Sequence, residues 1–212
     1  MNLYPELAGL SLDELVKCLR GSGGYDDYYE EVVDHIAAFG SAGINCLLAE
    51  LDRRQHPQAL AVIDKLFRVD SSNPIFGAEL RALLEDREPE LVAEAIVALG
   101  FLGAEDVRHK VLASVDHPSP EVRSAVLQYA RRICGESAAA ILIAALSDRS
   151  DLVRESAIDE LDDLGAVGAI THLRPLVEDS AETVRQAART AIANLTELAA
   201  QERQARGLPH SS

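Results

Sequence analysis

The sequence predicts an all-α protein, a right-handed α-solenoid of antiparallel helix pairs with a period of about 31 residues, and three observations carry that prediction. The first is a recurring dipeptide: Val122-Arg123, Val153-Arg154 and Val184-Arg185 stand 31 residues apart, with Leu91-Val92 one step earlier in the same place. The second is a set of apolar columns in the same phase. Ala95, Val126, Ala157 and Ala188 form one, Leu99, Ala130, Leu161 and Ile192 another, and Leu102, Ile133, Leu164 and Leu195 a third. Half a repeat earlier run Leu80, Val111, Leu142 and Leu173, then Leu84, Val115, Leu146 and Val177. All are apolar, although only 48% of the chain is. The third observation is local spacing. Val153, Ala157, Leu161 and Leu164 follow one another by four, four and three, which is one face of an α-helix, and Leu142 and Leu146 mark a second helix in the unit.

The elements follow in order. Ser11-Leu12-Asp13-Glu14 is a capping box, so residues 1–24 read as an N-terminal capping segment around a short helix. Residues 25–72 read as divergent repeats. Ala37 to Gly43 forms an inter-helix turn, and His56-Pro57 through Val69 keeps a helix that drifts a residue or two out of phase. Residues 73–198 read as regular repeats. Pro89, Pro120, Asp151 and Glu182 share the helix-start column, where a missing N–H costs nothing and a carboxylate suits the positive end of the dipole. Ser119 and Ser150 precede two of them as expected N-caps. Gly103 and Gly165 close the first helix of a unit, and Cys134-Gly135 shifts that turn by one residue in between. Pro175 falls inside a second helix, which should kink or finish early. Residues 1–200 are thus expected to be one solenoid, and 201–212, where periodicity fades into Gly207 and Pro209, a frayed tail.

The pattern Asp148, Val153-Arg154, Ala157, Leu161, Leu164-Gly165, Ala169 and Leu173 resembles a HEAT repeat, and more narrowly the short bacterial variety of the phycobilisome lyases. The resemblance implies a binding scaffold. It also implies that Asp86, Asp148 and Asp179, with Arg123, Arg154 and Arg185, form a structural ladder linking neighbouring repeats.

Charge narrows the function. Twenty basic against 35 acidic residues give a net charge of −15, which disfavours phosphate backbones. With no Trp and no basic stripe, a HEAT-fold DNA glycosylase lacks its groove. No apolar run reaches membrane-spanning length and the first twenty residues are not a secretory leader, so a cytoplasmic location away from membranes is expected. Cys18, Cys46 and Cys134 are odd in number and far apart, against a disulfide framework; Cys18 and Cys46 are expected to be buried hydrophobes.

Catalysis finds little support. Some HEAT-type enzymes bind iron through His-Glu pairs, but His35, His56, His109, His117, His172 and His210 make no such pair and no HExxH, so neither a metal nor another cofactor is expected. There is no GxSxG elbow. Asp148, Asp151, Glu155, Asp159, Glu160, Asp162 and Asp163 crowd sixteen residues, and a solvated helix face is the expected role for Glu155, Asp159 and Asp162.

One segment does more than its repeat requires. Tyr25 to Asp34 holds three of the five tyrosines and five carboxylates with no basic residue. Tyr29, Val32, Val33 and Ile36 supply its core face. Tyr25, Asp27, Tyr28, Glu31 and Asp34 are then the expected contacts for a basic protein, unless the tyrosines pack instead on the N-terminal helix. The expected function is therefore a non-catalytic scaffold for a basic protein partner, such as an immunity protein against a toxin. The alternative is a bilin-lyase-like or pigment-detaching factor, as the repeat type implies. Whether the chain acts as a monomer is open.

Overall fold

Every helix start that the sequence marks with proline is a helix start in the structure, a computed structural model that describes residues 4–21, 26–52 and 58–205. Among the described residues there is no strand and there are twelve α-helices: α1 Leu12–Arg20, α2 Asp26–Ala37, α3 Ser41–Asp52, α4 Gln58–Asp70, α5 Pro74–Leu83, α6 Pro89–Phe101, α7 Arg108–Leu112, α8 Pro120–Cys134, α9 Ala139–Ala145, α10 Asp151–Asp163, α11 Ile170–Leu173 and α12 Glu182–Ala205. The fold class is the all-α solenoid of antiparallel helix pairs. The helices group into two compact units, Met1–Leu102 and Gly103–Ser212.

In the first unit, the Ser11 capping box opens α1, with Ser11 Oγ accepting from the Glu14 N–H and the Glu14 carboxylate accepting from the Ser11 N–H at 2.8 Å. α2 buries Tyr29, Val32, Val33 and Ile36 together, the face its spacing predicts. After the turn at residues 38–40, α3 crosses so close to α2 that a Cβ on Gly43 would overlap the Ile36 carbonyl oxygen; only glycine fits there. The phase drift of α4 has a measurable size. Its buried Ala59, Val62, Ile63 and Leu66 align with Val92, Ala95, Ile96 and Leu99 of α6 at a spacing of 33 rather than 31.

In the second unit, the columns that the repeat predicts are the core. Val126, Ala157 and Ala188 are buried, as are Val111, Leu142 and Leu173, whereas Ile133 and Leu164 of the outermost column are half-buried. The turn column behaves as read: Gly103 and Gly165 adopt φ near +68° and +67°, and Gly135, one residue late, takes φ +54°. Pro175 ends its helix. α11 stops at Leu173 and the chain continues as a 3₁₀ turn over Arg174–Glu178, because the proline ring cannot coexist with another α-turn. Tyr129 is fully buried and donates its hydroxyl to the Ala104 carbonyl at 2.5 Å, and burial pushes its phenol up to about 12.

Three local expectations are corrected. Ser119 caps α8 through the Val122 N–H, but the Ser150 hydroxyl caps nothing; there the Asp148 side chain takes the backbone N–H of Ser150 instead, at 2.8 Å. Cys18 and Cys46 are half-buried rather than buried. α12 runs on through Ala205, so the helix outlasts the predicted start of the tail at 201; residues 206–212 lie outside the described residues.

Candidate functional site

The N-terminal acidic segment is largely occupied from within its own unit. Tyr25 lies outside the described residues. Asp27 is exposed, but its carboxylate accepts the Tyr4 hydroxyl at 3.0 Å, and Glu31 accepts the Tyr4 N–H at 3.4 Å. Asp34 accepts from Lys65 Nζ on α4 at 2.6 Å. Tyr28 is half-buried rather than outward, with its ring edge-on to Tyr4 at 5.0 Å and to Tyr29 at 5.7 Å. Burial, and then a hydrogen bond with Cys18, push its phenol up to about 12. The chain before α1 thus folds back on α2 and takes the tyrosine cluster as its own packing surface. Tyr4 carries no periodic mark, so nothing in the sequence announced it.

The ladder forms two full rungs. Arg123 donates Nε and Nη2 to the two Asp148 oxygens at 2.8 and 2.7 Å, and Arg154 does the same to Asp179 at 2.9 and 2.7 Å. Each remaining Nη1 turns back to its own repeat, from Arg123 to the His117 and Pro118 carbonyls and from Arg154 to the Asp148 carbonyl. Both carboxylates are held below the usual value, mainly by these hydrogen bonds. Arg185 pairs instead with Glu182 of its own helix and with the carbonyls of Asp179 and Ser180. Asp86 keeps the second duty of its column. In all four repeats the residue at this place accepts the backbone N–H two positions on: Asp86 from Glu88, His117 from Ser119 through Nδ1, Asp148 from Ser150 and Asp179 from Ala181. His117 serves because the turn needs an acceptor, not a charge.

The carboxylates of α10 divide by face. Glu160 is only 8% exposed and is paired with Arg131, which also reaches Asp163 at 3.1 Å. Asp162 accepts from Asn194 of α12 at 2.7 Å. Asp159 is exposed at the middle of this surface, and the charges that act on it most are Glu155, Glu160, Asp163 and Asp162, all carboxylates. Partial burial and then that repulsion push its carboxyl up to about 6.

Beside α9 lies a groove of about 410 Å³ with Leu127, Ile141, Ala144 and Val153 on its walls and Asp116, Arg123 and Asp148 at its polar side. Each guanidinium nitrogen of Arg123 already donates a hydrogen bond to Asp148 or to a turn carbonyl. Among the described residues, no three or more His, Cys, Asp or Glu side chains are placed to hold a metal ion, and no helix is long and apolar enough to cross a membrane.

Comparison with known proteins fits this geometry. Residues 109–193, which span the ladder and the α10 surface, match the family model described as HEAT repeats. No curated protein matches the chain. Among solved structures, the crystal structure of an engineered protein superposes with a TM-score of 0.56 at 16% identity, over 88% of this chain and 96% of that one, a likeness of fold. By sequence, residues 109–193 are similar to HEAT repeats, and by fold the chain is an all-α solenoid of helix pairs.

Proposed function

We propose that the protein is a non-catalytic binding scaffold that captures a basic protein partner on the acidic face of α10. The observation that carries this reading is the row of carboxylates on α10, where the exposed Asp159 stands among Glu155, Glu160, Asp162 and Asp163. A cationic side chain docked among Glu155, Asp159 and Asp162 gains the attraction of all three and removes their mutual repulsion. The net charge of −15 adds long-range steering toward such a partner. A protein whose working surface is built to hold phosphates presents that partner chemistry, so the inhibitor or immunity role against a nucleic-acid-cutting toxin is the finer form of the proposal. The N-terminal residues Asp27, Glu31 and Asp34 are a secondary contact, since each already serves Tyr4 or Lys65. The pigment-lyase-like alternative is weaker. The one cation lining the groove beside α9, Arg123, is committed to Asp148 and two carbonyls, leaving no anchor for a pigment's carboxylates.

The test is affinity capture with the purified chain, followed by titration of the recovered partner against wild type and an Asp159→Asn/Asp162→Asn variant. A partner of high isoelectric point whose affinity drops severalfold in the variant supports the reading. A neutral or acidic partner, or one indifferent to the variant, overturns it.

A further inference from the structure

α9 is a helix without a polar side chain. Ala139 to Ala145 read Ala-Ala-Ile-Leu-Ile-Ala-Ala, yet Leu142 is the one residue of the helix that is buried. Ile141 and Ile143 are half-buried, and Ala140 and Ala144 are exposed. A helix that is apolar all round is normally enclosed on every side. Here the Leu142 side alone is enclosed. The repeat does not require this composition. At steps of 31 the column of Ile141 holds Glu79, Lys110 and His172, so the other repeats place a polar side chain where α9 places isoleucine.

The small side chains leave room on both flanks of the helix. At about 100° per residue, Ala140 and Ala144 form the crest on the side opposite Leu142. Ile141 and Ala145 line the groove of about 410 Å³ on one flank. Ala139 and Ile143 line a second groove, of about 360 Å³, on the other, against Leu164 and Gly168. Each groove has an exposed carboxylate on its wall, Asp116 in the first and Glu136 in the second. The cation among the described lining residues is Arg123, whose nitrogens go to Asp148 and to turn carbonyls, so Asp116 receives none of them. The charge that both grooves offer a ligand is therefore negative.

We propose that α9 and its two grooves dock an amphipathic helix of a partner protein, with apolar side chains seated on either side of α9 and Lys or Arg side chains reaching Asp116 and Glu136. Alanine at the crest lets two helix axes approach to about 8 Å. A helix laid across α9 carries side chains at i and i+7 about 10 Å apart, the width of the helix it straddles. The site goes beyond the α10 face. It shares with the proposed function the basic character of the partner and adds an apolar anchor that charge alone does not supply.

The experiment uses the full chain and two fluorescein-labelled helical peptides of equal charge, built of Ala and Lys. One carries Leu at i and i+7 of its apolar face and the other Ala at both, and each is titrated by fluorescence anisotropy at low salt. Ala144→Gln raises the crest with a neutral side chain at an exposed helical position, so its thermal melt should match the wild type. The leucine helix should bind about fivefold or more tightly than the alanine helix, and Ala144→Gln should erase that difference. Asp116→Asn/Glu136→Gln should weaken both helices, and Asp159→Asn/Asp162→Asn should leave the leucine preference as it is. A leucine preference that is absent, survives Ala144→Gln or depends on the α10 carboxylates overturns this site and leaves the α10 proposal to its own capture test. If Ala144→Gln instead lowers the mass of the unliganded chain in light scattering, α9 joins two copies of this chain and the docking proposal fails. Should Ala144→Gln melt early, the Asp116/Glu136 variant decides: leucine-helix binding unmoved by it overturns the site.

Discussion

At the residue scale, the ladder shows how a charge pair that recurs every 31 residues serves structure. Arg123 is only 5% exposed and every donor nitrogen of its guanidinium that the turn presents is used, so truncating its partner strands a buried cation. Asp148→Ala should cost about 3 kcal/mol in a urea melt, whereas the paired change Arg123→Met/Asp148→Leu should recover most of that loss. The pH dependence follows in sign. Asp148 and Asp179 are held below their unfolded value, so their contribution is present above about pH 4 and is lost as pH falls through the lowered folded values. Asp159 behaves oppositely. With its folded value near 6 against 3.8, its ionisation opposes folding, a penalty absent below about pH 4 and complete above about pH 6. Asp159→Asn should therefore stabilise the fold at pH 7 by about 0.5–1 kcal/mol, reduced by solvent screening because the side chain is exposed, and should change nothing at pH 3.5. Equal effects at both pH values would contradict the assigned environment. The Asp and Arg columns were readable because they recur at 31. Tyr4 against Asp27 was not, because a contact between a terminal segment and a helix leaves no period to detect.

At the scale of elements, the repeat phase decides how much a substitution costs. Leu161 is fully buried in α10, so Leu161→Ala should destabilise by about 2–4 kcal/mol in denaturant melts, while Glu155→Ala on the outer face should stay within about 0.5 kcal/mol. Gly43→Ala tests the tightest crossing. Its new Cβ would meet the Ile36 carbonyl, so α3 must withdraw from α2, and the loss should reach about 3 kcal/mol or more, read as a lowered midpoint. Helix starts, the shifted turn at Gly135 and the break at Pro175 were all legible, because Pro and Gly act on the backbone within a residue or two. The N-cap at Ser150 was misread because a second acceptor, Asp148, reaches the same turn and wins the N–H.

At the scale of the whole molecule, a net charge of −15 is carried on a helical repeat whose turns are held by its own Asp and Arg side chains, and on α10 Asp159 stays exposed to solvent. Electrostatic steering acts on encounter more than on lifetime, so its signature lies in the association rate. The most direct measurement is the association rate of the captured partner, by stopped flow, at 50 and 300 mM salt for wild type and Asp159→Asn/Asp162→Asn. The account predicts a wild-type rate that falls about tenfold or more between the two salts, a variant that starts lower and falls less, and a dissociation rate changed far less than the association rate. An association rate that is the same for both proteins and flat with salt would contradict it.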